Sequence, residues 1–307
     1  MNTTTRPIHI GQVMMENLES KTKNPIKLES MPNLNNAMGG GFASSSLNVV
    51  VASSGFGKTN WLVDTANKIA KDVPVVFFTC ELTKEKLSDR FYASFLNCNF
   101  NMIQRLKTDS AMIEEFSCAV KHYSESYKLK ISEETFIEDI VAQAIYENHN
   151  GECEMIIIDH LGEVNTKKNF RDINEKFSYI CDLLLELYRN QGITVLTATQ
   201  FKKSMNPMDD FGKRGMDDIL GASVLRSRAS LIIYLYCEYA ESQENSKLEQ
   251  INHYNATTCH LKLLKAREGW NGYRTRLYYN KPQVQFKQIP NTDYIPESQS
   301  VKSKVSN

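Results

Sequence analysis

Residues 47–62 read LNVVVASSGFGKTNWL. An apolar run, Leu47, Val49, Val50 and Val51, ends in a small Gly-bearing turn. The turn leads into Lys58 and Thr59, and then into a segment with helical spacing. Such a turn needs a buried strand to carry it to the strand's carboxyl edge. It aims backbone N–H groups inward, and the next helix adds the positive end of its dipole. The pattern G-x-x-x-x-G-K-[ST] is met with one change, Ala52 in the first glycine place. We read a phosphate-binding P-loop, with Ala52, Ser53, Ser54, Gly55, Phe56, Gly57, Lys58, Thr59 and Asn60 as nucleotide-binding residues. The plain alternative is a chance Gly-Lys-Thr in a turn; the strand before and the helix after argue against it.

Composition narrows the remaining choices. At 307 residues the chain has room for one large α/β domain with extensions. It has 41% hydrophobic and 23% charged residues, as a globular protein with a sizeable core does. Lys and Arg number 36 against 36 Asp and Glu, so any nucleic-acid-binding surface must be local. No stretch is long and apolar enough to span a bilayer, and MNTTTRPIHIG carries no signal-peptide core. Seven scattered cysteines without a C-x-x-C pair read as free thiols of a reducing cytoplasm, not as disulfides or a zinc site.

Ile10, Val13, Met14 and Leu18 fall at helical spacing, which predicts a short amphipathic helix within residues 1–27. It either packs on its own domain or serves as a linker docking on a neighbouring subunit. A domain over 28–289 follows. Its predicted strands are 47–52, 74–79, 155–158, 193–199 and 230–236, with helices at 58–70, 82–97, 136–146 and 177–189. Residues 98–130 read as helical, with a possible short strand at 127–131. This alternation means a mostly parallel sheet with helices on both faces. Residues 260–264 and 275–279 read as a C-terminal β-hairpin extension, with 284–287 extending it. Residues 290–307 are polar and are expected to form a disordered tail.

In an open α/β sheet, ligands sit at the carboxyl ends of the strands. Four strands bring polar groups there: Lys58 with Thr59, Glu81, Asp159 and Gln200. Each has a part in Mg²⁺-dependent nucleotide hydrolysis. Lys58 would reach the β- and γ-phosphates, and Thr59 with Asp159 would hold Mg²⁺. Glu81 suits polarisation of the attacking water, and Gln200 suits sensing of the γ-phosphate. A carboxylate ending a strand is often only a helix cap, but four such groups on one edge are harder to dismiss. His160 reads as a packed or surface neighbour. Lys265 and Arg267 leave a strand for a Gly-bearing turn and share one face. On spacing alone they form a solvated basic hairpin; the functional reading is an arginine finger offered to a neighbour's nucleotide.

The segments ASSGFGKT (52–59), FFTCEL (77–82), IIIDHLG (156–162), LTATQFKK (196–203), MDDILGASVLRSRA (216–229) and KAREG (265–269) come in a familiar order. Together the chain resembles the RecA-like ATPase domain of DnaB-type hexameric replicative helicases, with those of T-even bacteriophages nearest in look. The resemblance implies a RecA-like P-loop NTPase fold, ATP and Mg²⁺ as cofactors, Glu81 as catalytic base and Lys265 with Arg267 as trans-acting pair. It also implies a homo-oligomeric ring, a hexamer, holding single-stranded DNA and moving 5′→3′ in DNA replication, in a cytoplasm that is the host's if the chain is phage-encoded. Other replication proteins are possible partners. Only about 27 residues precede the domain, room for the linker helix alone. Candidate DNA contacts are Lys202, Lys203, Lys213, Arg214, Gly221, Ser223 and Arg226, with Lys167, Lys168 and Arg171 on a second loop. Acidic neighbours offset the cations, and a solvated loop is the bland alternative. Two other functions stay open: a RecA-type recombinase filament, and a non-unwinding, nucleotide-gated accessory protein.

Overall fold

A computed structural model of the chain describes residues 9–11, 14–15, 24–202, 214–237 and 257–296. The apolar runs form β1 (Leu47–Val51), β2 (Val75–Thr79), β4 (Met155–Asp159) and β5 (Thr194–Thr199), each buried along its whole length. Continuous burial is expected of parallel strands covered on both faces. With β3 (Leu129–Ser132), β6 (Leu231–Cys237), β7 (Thr257–Ala266), β8 (Arg274–Asn280) and β9 (Gln285–Gln288), they make one sheet in the order β3-β2-β4-β5-β1-β6-β7-β8-β9. Pairing is parallel from β3 through β6 and antiparallel from β6 to β9. The expected C-terminal hairpin thus continues the main sheet.

Helices cover both faces. On one side lie α1 (Pro32–Ala37), α2 (Lys58–Ile69), α3 (Lys84–Phe95), α4 (Phe100–Leu106) and α5 (Ser110–Ser126). On the other lie α6 (Ile137–His149), α7 (Ile173–Gln191) and α8 (Ala222–Arg228). Sequence signals set several of the ends. Thr83 caps α3, Asn99 caps α4 and Asp172 caps α7, each accepting from a first-turn amide. Helix α1 is too short to show a period in sequence. It starts at Pro32, and the Asn35 side chain bonds both backbone groups of Leu28.

Two departures from the regular pattern matter for function. Opposite Ile232 and Ile233, β7 carries one extra residue, Leu264. Leu261 and Leu263 point into the α2 side of the core, whereas Leu264 packs on the α7 side. The bulge re-aims Lys265 and Arg267 toward α8. The turn that follows is clamped by α1: Trp270 donates its backbone N–H to Ala37 O at 2.8 Å. A Cβ on Gly269 would lie 2.1 Å from that same oxygen, so only glycine fits.

Residues 290–296, expected to belong to a disordered tail, are held in place. Asp293 accepts from the hydroxyl of Tyr273, from Gln288 Nε2 at 2.9 Å and from Asn33 Nδ2 at 2.7 Å. Tyr294 pairs with Arg274 through the backbone, so residues 290–296 pack on β8. Residues 297–307 lie outside the described residues. Of the expected N-terminal helix, residues 10, 11, 14 and 15 are helical; 12, 13 and 16–23 lie outside the description.

Strand β9 has an open edge, and α2 seals it. Phe286 N–H donates to Asp64 Oδ2 at 3.1 Å, and Lys68 Nζ donates to Phe286 O at 2.6 Å. Burial pushes the Asp64 carboxyl up to about 6, against the pull of Lys68. In the unfolded chain it titrates near 3.8. The folded state therefore holds the extra proton between these values, and stability falls as pH rises through about 6. Relative to Asp64→Asn, the wild-type chain should lose on the order of 2–3 kcal/mol between pH 4 and 7. Urea unfolding of both proteins at the two pH values measures this; a gap that does not change with pH would mean Asp64 titrates alike in the folded and unfolded chain.

Candidate active site

The register of the parallel strands assembles the site. Thr79 of β2 pairs with Asp159 of β4, and Val51 of β1 pairs with Thr199 of β5. The residues that follow leave the sheet side by side. Lys58, Thr59, Glu81 and Gln200 line one cleft of about 250 Å³, with Ser54 and Gly55 across from them. Asp159 is buried at its base, beside Lys58 and Thr59.

The P-loop has the backbone such a turn requires. Gly55 and Gly57 have φ of 78° and 83°, and Gly57 caps α2. Ala52 is not in the left-handed region, so nothing at that place demands glycine. The amides of Lys58, Thr59 and Asn60 meet no backbone acceptor among the described residues, as the first turn of a helix dictates. They form an anion-binding cradle. Lys58 is almost fully buried, and its Nζ donates to Ala52 O and Ser53 O, each at 3.1 Å. Burial lowers its pKa, while Asp159 and Glu81 pull the other way.

Asp159 is 0% exposed, and neither carboxylate oxygen closes a hydrogen bond with a described residue. Burial raises its pKa; the nearby Thr59 hydroxyl and His160 oppose that rise. A buried carboxylate with both oxygens unsatisfied calls for a cation. Among the described residues no cluster of three or more His, Cys, Asp or Glu could hold a metal by itself. One carboxylate, one hydroxyl and the phosphates of a ligand suit a magnesium-like ion, which takes few protein ligands. The donor set fits Mg²⁺ with Thr59 and Asp159.

Three cleft residues carried no readable sequence signal, Arg90, Tyr279 and Lys281, and a fourth, His160, had read as a packed or surface neighbour. Arg90 donates to Asn60 Oδ1 at 3.3 Å, and Asn60 Nδ2 donates to the Tyr279 hydroxyl at 2.6 Å. Tyr279 stacks on Phe286 with ring centres 4.1 Å apart. Arg90 comes from α3 and Tyr279 from β8, and only folding brings them to Asn60 of the P-loop. His160 Nε2 lies 3.6 Å from Glu81 Oε2.

Lys265 and Arg267 do not line this cleft. Lys265 Nζ donates to Arg226 O at 2.5 Å, and Arg267 Nη2 donates to Ser227 O at 2.6 Å. Those carbonyls belong to the last turn of α8, where no backbone N–H follows to satisfy them. Burial lowers the Lys265 pKa, and Arg267 beside it adds to that.

The expected DNA contacts fare unevenly. Lys203 and Lys213 lie outside the described residues. Arg214 is buried, with its guanidinium 5.0 Å over the Phe201 ring. Gly221 starts α8 with φ of 74°, and a Cβ there would come 2.5 Å from Phe177, which makes it a packing glycine. Ser223 is exposed. Lys202 Nζ donates to Asp217 O at 2.8 Å, and Arg226 pairs with the Asp217 carboxylate. On the second loop, Lys167 pairs with Asp139, and Lys168 sits over Tyr179.

Gln200 is stitched to this region through the backbone. Leu220 N–H donates to Gln200 O at 3.0 Å, and Lys202 N–H donates to Asp218 O at 2.8 Å. Chemically, the cleft offers a phosphate cradle, a buried cation ligand, a carboxylate that faces solvent and an amide. That set suits transfer of a phosphoryl group to water.

Comparison with known proteins bears on the family and the fold. The chain is 22% identical to the replicative DNA helicase DnaB of Helicobacter pylori strain J99, over 92% of this chain and 65% of that protein. It is 23% identical to DnaB of Mycoplasma pneumoniae, over 76% of this chain and 50% of that protein. The chain thus spans about half to two-thirds of the length of these relatives. The structure of a DnaB-like replicative helicase, solved with its interactions with primase, superposes with a TM-score of 0.72 at 19% identity, covering 92% of this chain and 67% of that one. The ATPase domain of G40P superposes with a TM-score of 0.72 at 18% identity, covering 91% of this chain and 97% of that one. At these identities the two structures speak for the fold, which is RecA-like α/β. The family model of the DnaB-like helicase C-terminal domain matches residues 29–288, and to that family this chain belongs.

Proposed function

We propose that the chain is an ATP-hydrolysing DNA helicase motor, with its catalytic site completed by a neighbouring copy in a ring. The observation that carries the reading is the buried, unpartnered Asp159 carboxylate beneath the P-loop, with Lys58, Thr59, Glu81 and Gln200 around it. Bound Mg²⁺ would neutralise charge on the β- and γ-phosphates, held by Thr59 and Asp159. Lys58 would exchange its bonds to Ala52 O and Ser53 O for phosphate oxygens. The first-turn amides of α2 would hold the anion in place. Glu81 would take the proton from the attacking water. Gln200 would meet the γ-phosphate with its amide, while its carbonyl, bonded to Leu220, ties that event to the residues that lead into α8.

Lys265 and Arg267 would serve the next subunit's nucleotide. Their distance from their own cleft supports a role in trans. In that position a guanidinium stabilises charge that develops in the transition state. Single-stranded DNA is the substrate proposed for Lys202 and the start of α8, where Ser223 is exposed. A hexameric ring working in replication is the assembly proposed, by analogy with the family. Native mass measurement with Mg²⁺ and AMP-PNP, with and without single-stranded DNA, tests it: six copies are expected, and an open-ended series would favour a recombinase-like filament.

Lys58→Ala should lower ATP turnover by at least ~100-fold, since a phosphate-binding point charge is removed from a low-dielectric site. Unchanged turnover in a steady-state phosphate-release assay would sink the ATPase assignment. Arg267→Ala should keep nucleotide affinity and lose roughly 10³-fold in turnover, the effect of a missing arginine finger. The same variant should speed amide exchange at the end of α8, because one carbonyl cap is gone. Faster exchange with normal hydrolysis would leave the pair as a helix cap alone.

A further inference from the structure

We propose that His160 is a positioning residue that holds the Glu81 carboxylate for its work as general base. Glu81 stands just past β2, ahead of the Thr83 cap, and its side chain is 52% exposed. An exposed carboxylate samples several rotamers, and few of them face a water in line with a phosphate. His160 is the one partner within ion-pair range of Glu81 among the described residues, with Nε2 3.6 Å from Oε2.

The two side chains differ in freedom. The His160 side chain is 8% exposed, and its backbone is clamped on both sides. Leu161 N–H donates to Ala198 O at 2.9 Å, and Glu163 N–H donates to His160 O at 3.0 Å. The ring orientation is set as well. Gly162 N–H donates to Nδ1 at 3.1 Å, so Nδ1 carries a lone pair and the neutral ring bears its proton on Nε2. A Cβ on Gly162 would come 2.9 Å from His160 Cε1; glycine at 162 is what lets the chain turn so closely over the ring. A rigid N–H donor is therefore aimed at a mobile carboxylate.

The separation is longer than a hydrogen bond, and of the two side chains the exposed Glu81 is the one with room to close it. Catalytic hydrogen bonds tighten in this way once substrate is bound. With one oxygen held by Nε2–H, the other is left for water. His160 acts through Glu81 and needs only its donor, not a change of charge. The inference rests on Glu81 being the base, as proposed above.

The test uses the full chain with Mg²⁺, single-stranded DNA and ATP, with AMP-PNP for affinity. His160→Phe keeps the ring's bulk and removes the donor; His160→Gln keeps an N–H at similar reach. General-base catalysis contributes about 10²–10⁴-fold, and a base left unpositioned forfeits part of it, so His160→Phe should lose on the order of 10-fold in kcat. KM and AMP-PNP affinity should stay within about twofold, because no ground-state contact is lost. His160→Gln should recover most of the rate, and Gly162→Ala should lower kcat by displacing the ring. Full kcat in His160→Phe, or equal losses in the Phe and Gln variants, would reduce His160 to packing and overturn the proposal. Glu81→Gln runs alongside: its loss of turnover with full activity in His160→Phe defeats this inference alone, whereas wild-type turnover in Glu81→Gln defeats the base assignment itself.

Discussion

Parallel strands of one sheet end on the same side, and in this chain they end level. Thr79 faces Asp159 and Val51 faces Thr199, so the P-loop, Glu81, Asp159 and Gln200 leave the sheet together. The register is held by apolar residues on both faces of β1, β2, β4 and β5. A slip of one residue in β4 would carry Asp159 to the other face and dismantle the site. The same register buries Asp159 completely, and neither of its carboxylate oxygens has a hydrogen-bond partner among the described residues. An ionised carboxylate so placed is a liability to the chain alone, which a bound cation would relieve. Stability at this corner is thus linked to ligand, as it is for any group satisfied only in the bound state.

The second organising contact joins β7 to α8. One added residue, Leu264, turns Lys265 and Arg267 onto the face where α8 ends. There they donate to the carbonyls of Arg226 and Ser227. Seven residues make a helix too short to sustain itself, so its ends depend on such partners. A phosphate on a neighbouring copy would compete for the same N–H groups. Contiguity between Gln200, Leu220, α8 and the cation pair is not in itself coupling. On the proposed role in trans, the α8 carbonyls and that phosphate would be rival acceptors for one pair of donors.

The chemistry of this chain was written locally, and its surroundings were not. Residues 47–62 specify strand, turn and helix within sixteen positions, because the constraint on a phosphate cradle is local. Apolar runs ending in Glu81, Asp159 and Gln200 could be read the same way, since burial on both faces leaves a continuous hydrophobic signature. The cysteines and the balanced charge bounded the rest.

Tertiary structure decided what depends on distant partners. Arg214 looked like a loop cation, yet it is buried over Phe201. Gly221 looked like part of a DNA-facing loop, yet it lies against Phe177, forty-four positions earlier. Residues 290–296 looked polar and loose, yet Asp293 is held by Tyr273, Gln288 and Asn33. His160 looked like a bystander, and only the turn at Gly162 aims it at Glu81. The sequence by itself determined the phosphate-binding element, the strands that frame it and the residue types of the site. Which cations are paired, which face the bulged strand presents and which ring lies beside the Glu81 carboxylate were settled by folding. Those outcomes rest on contacts between residues far apart in the chain, and no local period encodes them.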